Sequence, residues 1–108
     1  MRTEDEVIDI MRVFYKEEFG GKSNQRFRLT WADLRSIYGV GKLFRSRFKL
    51  LQERAYQRGL YIWCPADEDE IVVIRCKTVD RWRRVPKRII DEYRESADPQ
   101  DLDDEEDD

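Results

Sequence analysis

Apolar residues recur three and four apart from the start of the chain: Val7, Ile10, Met11 and Phe14, with Ile8, Tyr15 and Phe19 beside them. This period lines one side of a helix. Thr3 stands three residues before Glu6, the spacing at which each side chain can bond the other's backbone N–H. Gly20-Gly21 is a natural stop. The pattern predicts a first helix over 4–19. Residues 22–26, KSNQR, read as a loop, and Phe27-Arg28-Leu29 as a short alternating strand. Thr30 then caps a second helix over 31–38, with Asp33 as its partner three residues on and Trp31, Leu34, Ile37 and Tyr38 on its apolar side.

Gly39-Val40-Gly41 breaks that helix in a three-residue turn, and a third helix is expected from Lys42 to Gln57, closed by Gly59. At 3.6 residues per turn, Phe44, Phe48, Leu51 and Ala55 fall within about 60° of one another and form its expected core stripe. Leu43 and Leu50 widen the stripe on one flank, where Arg47 and Arg54 also lie. The opposite face carries Lys42, Arg45, Lys49, Gln52 and Tyr56, bordered by Ser46 and Glu53.

β-Branched and aromatic residues dominate 60–64 and 71–77, which predicts two strands joined by a turn over 65–70, a β-hairpin. A C-terminal helix is expected from Val79 or Asp80, with Trp82, Val85, Ile89, Ile90 and Tyr93 as its apolar face. Proline is accepted only in a helix's first turn, so Pro86 can begin a second segment there. From Ser96 the chain is acidic with almost no apolar content, the composition of a disordered tail. The expected organisation is one α+β domain over 1–95 and an acidic tail over 96–108.

Charge changes this picture more than composition does. The 108 residues carry a net charge of −3, but the last fourteen hold nine acids and no base. Residues 1–94 therefore bear 21 Lys and Arg against fifteen acids. Residues 22–64 hold ten bases against Asp33 and Glu53 alone. A second basic cluster runs through Arg75, Lys77, Arg81, Arg83, Arg84, Lys87 and Arg88, offset by Asp80. Arginine outnumbers lysine fifteen to six, and its planar fork suits phosphate. A basic body with an acidic tail is a common layout for nucleic-acid binders, although a solvated charged surface gives the same counts.

Histidine is absent, which removes Cys/His zinc sites, Ser-His-Asp triads and the usual general base. No P-loop or dinucleotide fingerprint is present. No enzyme activity, metal or cofactor is expected. Cys64 and Cys76 are not in a C-x-x-C arrangement and read as small apolar strand residues, reduced in the cytoplasm. No run of about 18 apolar residues marks a membrane span, and the acidic start lacks a secretory signal's apolar stretch.

Helix, short strand, helix, glycine turn, longer helix and hairpin is the element order of a winged helix-turn-helix. In such a domain the third helix enters the DNA major groove and the hairpin is the wing. Lys42, Arg45, Ser46 and Lys49 would reach DNA from that helix's first half, and Gln52 would pair with adenine if it reaches. Arg26 and Arg28 are candidates for backbone phosphate.

The stretch VIDIMRVFYKEEFGGKSNQRFRLTWADLRSIYGVGKLFRSRFKLLQERA carries a more specific likeness. Leu34, Arg35 and Gly39 match positions of "L-x-x-L-R-x-x-x-G", and Phe48, Lys49 and Ala55 positions of "F-x-x-F-K-x-x-V-x-x-A", with Phe44 and Leu51 each one residue from theirs. Residues 7–64 thereby resemble the second winged-helix domain of iteron-binding plasmid replication initiators. The resemblance covers about half the chain and implies double-stranded DNA binding through the third helix, in replication, plasmid maintenance or repression. It departs in two ways: initiators carry two such domains, and the turn before the third helix is shorter here. A single domain gains affinity by dimerising, through the first or the C-terminal helix. Against a DNA-touching wing stands its expected tip, Asp67-Glu68-Asp69-Glu70, which phosphates would repel. The rival expectation is a protein-interaction module that uses the acidic wing tip and tail.

Overall fold

The computed structural model describes residues 1–18, 20–65 and 69–95. Phe19, residues 66–68 of the expected hairpin turn with two of its four tip acids, and the acidic tail lie outside the described residues. The element order is α1 (Glu4–Lys16), β1 (Phe27–Leu29), α2 (Trp31–Tyr38), α3 (Arg45–Gln57), β2 (Leu60–Trp63), β3 (Ile71–Arg75), α4 (Cys76–Asp80) and α5 (Lys87–Glu92). The fold is mixed α+β, with one three-stranded antiparallel sheet in the order β1-β3-β2.

Both capping boxes form. Thr3 N–H donates to Glu6 Oε1 at 3.1 Å while Glu6 N–H donates to Thr3 Oγ1 at 3.3 Å. Thr30 and Asp33 exchange the same pair of bonds at 3.1 Å each. Each box satisfies an N–H that helix geometry leaves without a partner. α2 ends on Gly39, whose φ of 81° suits glycine and would strain an L side chain. Arg2 then ties the N-terminus to that helix end. Its backbone N–H donates to the Tyr38 carbonyl at 2.8 Å and its guanidinium to the Ile37 carbonyl at 2.7 Å.

The sheet register sets two faces, because neighbouring residues on a strand point opposite ways. Phe27 pairs with Val73, Leu29 with Ile71 and Ile62 with Val73, and this inner face is largely buried. Arg28, Tyr61, Trp63, Val72 and Ile74 form the outer face, where Trp63 is exposed. Val7, Ile8 and Met11 of α1, Leu34 and Tyr38 of α2, and Leu51 and Ala55 of α3 complete a core without solvent access. Edge-to-face contact of Phe14 and Tyr15 with Phe27 seals its α1 side, at centroid distances of 6.0 and 6.2 Å.

The third helix begins at Arg45, not Lys42, and Phe44 is its exposed N-cap residue rather than a core residue. Leu43, partly buried, packs against the core. With the leucine inward, the chain stays extended through Phe44 (φ −78°, ψ 150°) before the helix can start. The α2–α3 connection therefore spans 39–44 rather than three residues. Phe48, Leu51 and Ala55 hold the core stripe as expected.

Three further boundaries move. α1 ends at Lys16 rather than 19, and the first hairpin strand at Trp63 rather than Cys64. The return strand ends at Arg75, and Cys76 and Lys77 begin α4 instead. Cys76 is thus helical and Cys64 follows its strand, and no disulfide joins the two. The C-terminal helix is two short helices. Pro86 is the N-cap of α5, and its ring biases the preceding residue away from helical geometry. Trp82 and Val85 fall in the connector, so the expected continuous apolar face does not form.

Candidate nucleic-acid interface

α3 divides its surface into three stripes. Phe48, Leu51 and Ala55 face the core. Arg47, Arg54 and Arg58, spaced seven and four apart, face the acidic side of α1. Arg47 Nη2 meets Glu4 Oε2 at 2.5 Å, with Glu4 almost fully buried. Arg54 Nη1 lies 3.5 Å from Asp5, and Arg58 Nη2 lies 2.5 Å from Asp9. Glu4 and Asp5 lie in the first turn of α1, where acids suit the helix's positive end, and Asp9 follows one turn on. Three of the arginines that make 22–64 so basic are therefore structural.

The third stripe points outward. Arg45 and Lys49, one turn apart, are exposed and have no ion pair among the described residues. Ser46 is exposed on the flank. Lys42 precedes the helix and stands with its Nζ 5.1 Å from the Phe44 ring centroid, a cation–π contact at the helix start. α3 has no side-chain cap and no acid in its first turn, unlike α1 and α2. Its first turn therefore lacks a side-chain acceptor, and the positive end of the helix dipole adds to the field of the cations there.

Gln52 does not join this face as a reader of bases. Its Nε2 donates to the Ile62 carbonyl at 2.9 Å, tying α3 to the sheet's edge strand. Tyr56 stacks against Tyr61 with centroids 5.3 Å apart. Partial desolvation, with Tyr56 adding to it, raises the Tyr61 phenol above its ordinary pKa.

The strand cations divide. Arg28 Nη1 pairs with Glu70 Oε1 at 2.9 Å across the sheet. Arg26 is exposed, beside an open hollow that Phe27 and Val72 also line. Asp69 Oδ1 accepts the Trp31 backbone N–H at 3.0 Å, so it caps α2 from the far end of the hairpin. Neither role of Asp69 and Glu70 had a local sequence signal, since their partners lie about forty residues away.

The structure thus brings Lys42, Arg45, Ser46 and Lys49 together at one end of α3, and engages Gln52 and Arg28 elsewhere. No family model matches this chain, and neither does any curated protein or solved structure. Among the described residues, no helix is long and apolar enough to cross a membrane.

Proposed function

We propose that the chain is a winged helix-turn-helix protein that binds double-stranded DNA through the outward face of α3. The observation that carries the reading is the division of α3's cations. Arg47, Arg54 and Arg58 are matched by acids of α1, whereas Arg45 and Lys49 are exposed without an ion pair among the described residues. Charges needed only for solubility have no reason to gather at an uncapped helix start beside Lys42. The element order and the β1-β3-β2 sheet fit a wing formed by β2 and β3. In this reading Lys42, the first N–H groups of α3 and Arg26 hold phosphates, while Arg45, Ser46 and Lys49 face the groove. We read the setting as replication, maintenance or repression, from the sequence resemblance of residues 7–64 to plasmid replication initiators.

Fluorescence anisotropy on random-sequence duplex between about 50 and 200 mM salt tests the reading. Log affinity should fall by about 0.9 per log unit of salt for each phosphate neutralised. Arg45→Ala/Lys49→Ala should flatten that slope by about two phosphates. Equal slopes for both proteins would remove α3 from the interface.

A second reading, a protein-interaction module, draws support from one observation. Trp82, Val85, Ile90 and Tyr93 are all at least half exposed along the C-terminal segment. Such a strip suits self-association or a protein partner. Its acidic-wing version is weakened, because Asp69 and Glu70 are engaged within the domain.

A further inference from the structure

We propose that the cavity between the C-terminal ends of α1 and α3 binds a compact phosphate-type anion. The cavity has a volume of about 200 Å³, and Arg12, Lys16, Arg58, Arg75 and Lys77 line it with no Asp or Glu among its walls. This goes beyond DNA binding by α3 and does not rest on it. The site lies at the other end of a 13-residue helix from Arg45, about 20 Å away at 1.5 Å per residue.

The five cations are not equivalent. Arg58 Nη1 donates to the Asp5 carbonyl at 3.1 Å and its Nη2 pairs with Asp9. It is matched and serves as wall. Arg12, Lys16, Arg75 and Lys77 have no carboxylate partner among the described residues. Two of these are nevertheless held in place. Arg12 Nη1 donates to the Arg58 carbonyl at 3.0 Å, and the Arg75 guanidinium carbon stands 4.7 Å from the ring centroid of Tyr15, itself buried. Lys16 and Lys77 extend from the rim into solvent. Two fixed guanidinium groups and two mobile ammonium groups therefore surround one hollow.

Ordinary fold requirements account for only part of this. A cation in the last turn of a helix is favoured by the helix dipole, which explains Lys16 and the Arg12 bond at the end of α3. It does not explain Arg75 at the end of a strand, and α4, five residues long, is too short for its dipole to account for Lys77. The bond from Cys76 N–H to the Gly59 carbonyl, 2.8 Å, fixes that corner so that both cations border the cavity. Like charges gathered this way repel one another without return from the fold. An anion of two or more charges turns the repulsion into attraction, and guanidinium groups present paired donors to its oxygens.

Size narrows the ligand. Sites for drug-sized molecules begin near about 300 Å³, so this hollow suits a phosphate or diphosphate group and not a whole nucleotide. That group has two sources: a free anion such as pyrophosphate, or the terminal phosphate of a nucleic-acid strand.

The test uses the full chain and sodium pyrophosphate at constant ionic strength, followed by calorimetry and by amide chemical shifts. Saturable 1:1 binding is expected, with shifts at Gly59, Arg75 and Lys77. Lys16→Ala/Lys77→Ala should weaken it at least tenfold. Both positions are exposed, so the variant keeps its fold, which its circular dichroism checks. Arg45→Ala/Lys49→Ala should leave pyrophosphate binding unchanged while it impairs DNA binding, which separates this site from the α3 face. Non-saturating binding, or equal loss in both double variants, would overturn the site in favour of diffuse surface charge. A duplex carrying 5′-phosphates that displaces pyrophosphate better than its unphosphorylated twin assigns the site to strand termini; equal displacement assigns it to a free anion.

Discussion

Replacing Glu4 by Gln removes one charge at the most enclosed ion pair of the molecule and changes little else in shape. The Glu4 side chain is 11% exposed and that of Arg47 35%. Arg47 also stands over the Tyr38 ring at 5.8 Å, and its Nε is buried without a hydrogen bond among the described residues. Nearby, burial pushes the Tyr38 phenol far above its ordinary pKa, with the Glu4 carboxylate adding to the effect. Breaking a fully buried pair costs about 3–5 kcal/mol, because the remaining charge loses its partner without regaining water. Arg47 is a third exposed and recovers part of that hydration, so about 2 kcal/mol is expected for Glu4→Gln. For a domain of this size that lowers Tm by about 8–16 °C. Urea unfolding at pH 7 measures it. A cycle with Arg47→Met should return a coupling of about 1–2 kcal/mol, the double variant being more stable than the sum of the singles. Asp5→Asn is the control: Asp5 and Arg54 are each half exposed, and their pair should contribute less than about 0.5 kcal/mol. A Glu4→Gln effect no larger than that of Asp5→Asn, with no coupling to Arg47, would refute the reasoning.

Phe44→Ala should change stability by less than about 0.5 kcal/mol, whereas Phe48→Ala, four residues on and 8% exposed, should cost about 3–5 kcal/mol; similar costs measured by urea unfolding would restore Phe44 to the core. Asp69→Ala should destabilise by about 1 kcal/mol through loss of the α2 cap, and Asp69→Asn, which keeps an acceptor oxygen, by less; equal losses in thermal melts would deny the bond to Trp31 N–H. The Glu6 carboxyl is held below its ordinary pKa of 4.5 by the Thr3 backbone N–H and hydroxyl. Its contribution is therefore present above the ordinary glutamate range and lost as pH falls through the lowered folded-state value, so Glu6→Gln should flatten the acid limb of α1 amide protection, and an unchanged limb would contradict the linkage.

Much of the fold was legible because its signals are local. β1 over 27–29 and α2 over 31–38 are found where Thr30, Asp33 and Gly39 predict them. Each boundary there rests on a bond or a backbone angle set within a few residues. The start of α3 was not legible for the same reason. Leu43 and Phe44 are both apolar, both fit a helical period, and Phe44 caps without a side-chain bond. Only the rest of the core decides which of the two turns inward. The broken C-terminal helix shows periodicity overruled by one proline. Non-local pairing was the larger blind spot. Arg47 and Glu4 are 43 residues apart, and Arg58 and Asp9 are 49 apart, so no window of sequence reveals which arginines α1 engages. The cationic cavity is hidden likewise, since its walls come from both ends of the domain sequence.

The acidic run at 67–70 shows how a change of partner changes a functional argument. As a sequence it reads as four charges facing outward, an obstacle to any wing beside phosphate. In the fold, Asp69 accepts from the first N–H of α2 and Glu70 neutralises Arg28. Both bonds run from the β2–β3 connection to the segment that leads into α2. They fix the hairpin relative to α2, and through Gly39 and the 39–44 connection they bear on where α3 points. Two of the four carboxylates that seemed to oppose the proposed DNA-binding face, Asp69 and Glu70, thereby help to hold the elements that carry it. They also withdraw Arg28 from the cations open to the proposed interface, where Lys42, Arg45 and Lys49 keep no ion pair among the described residues. Whether an acid here opposes the proposed interface or supports it is decided by its partner and not by its residue type.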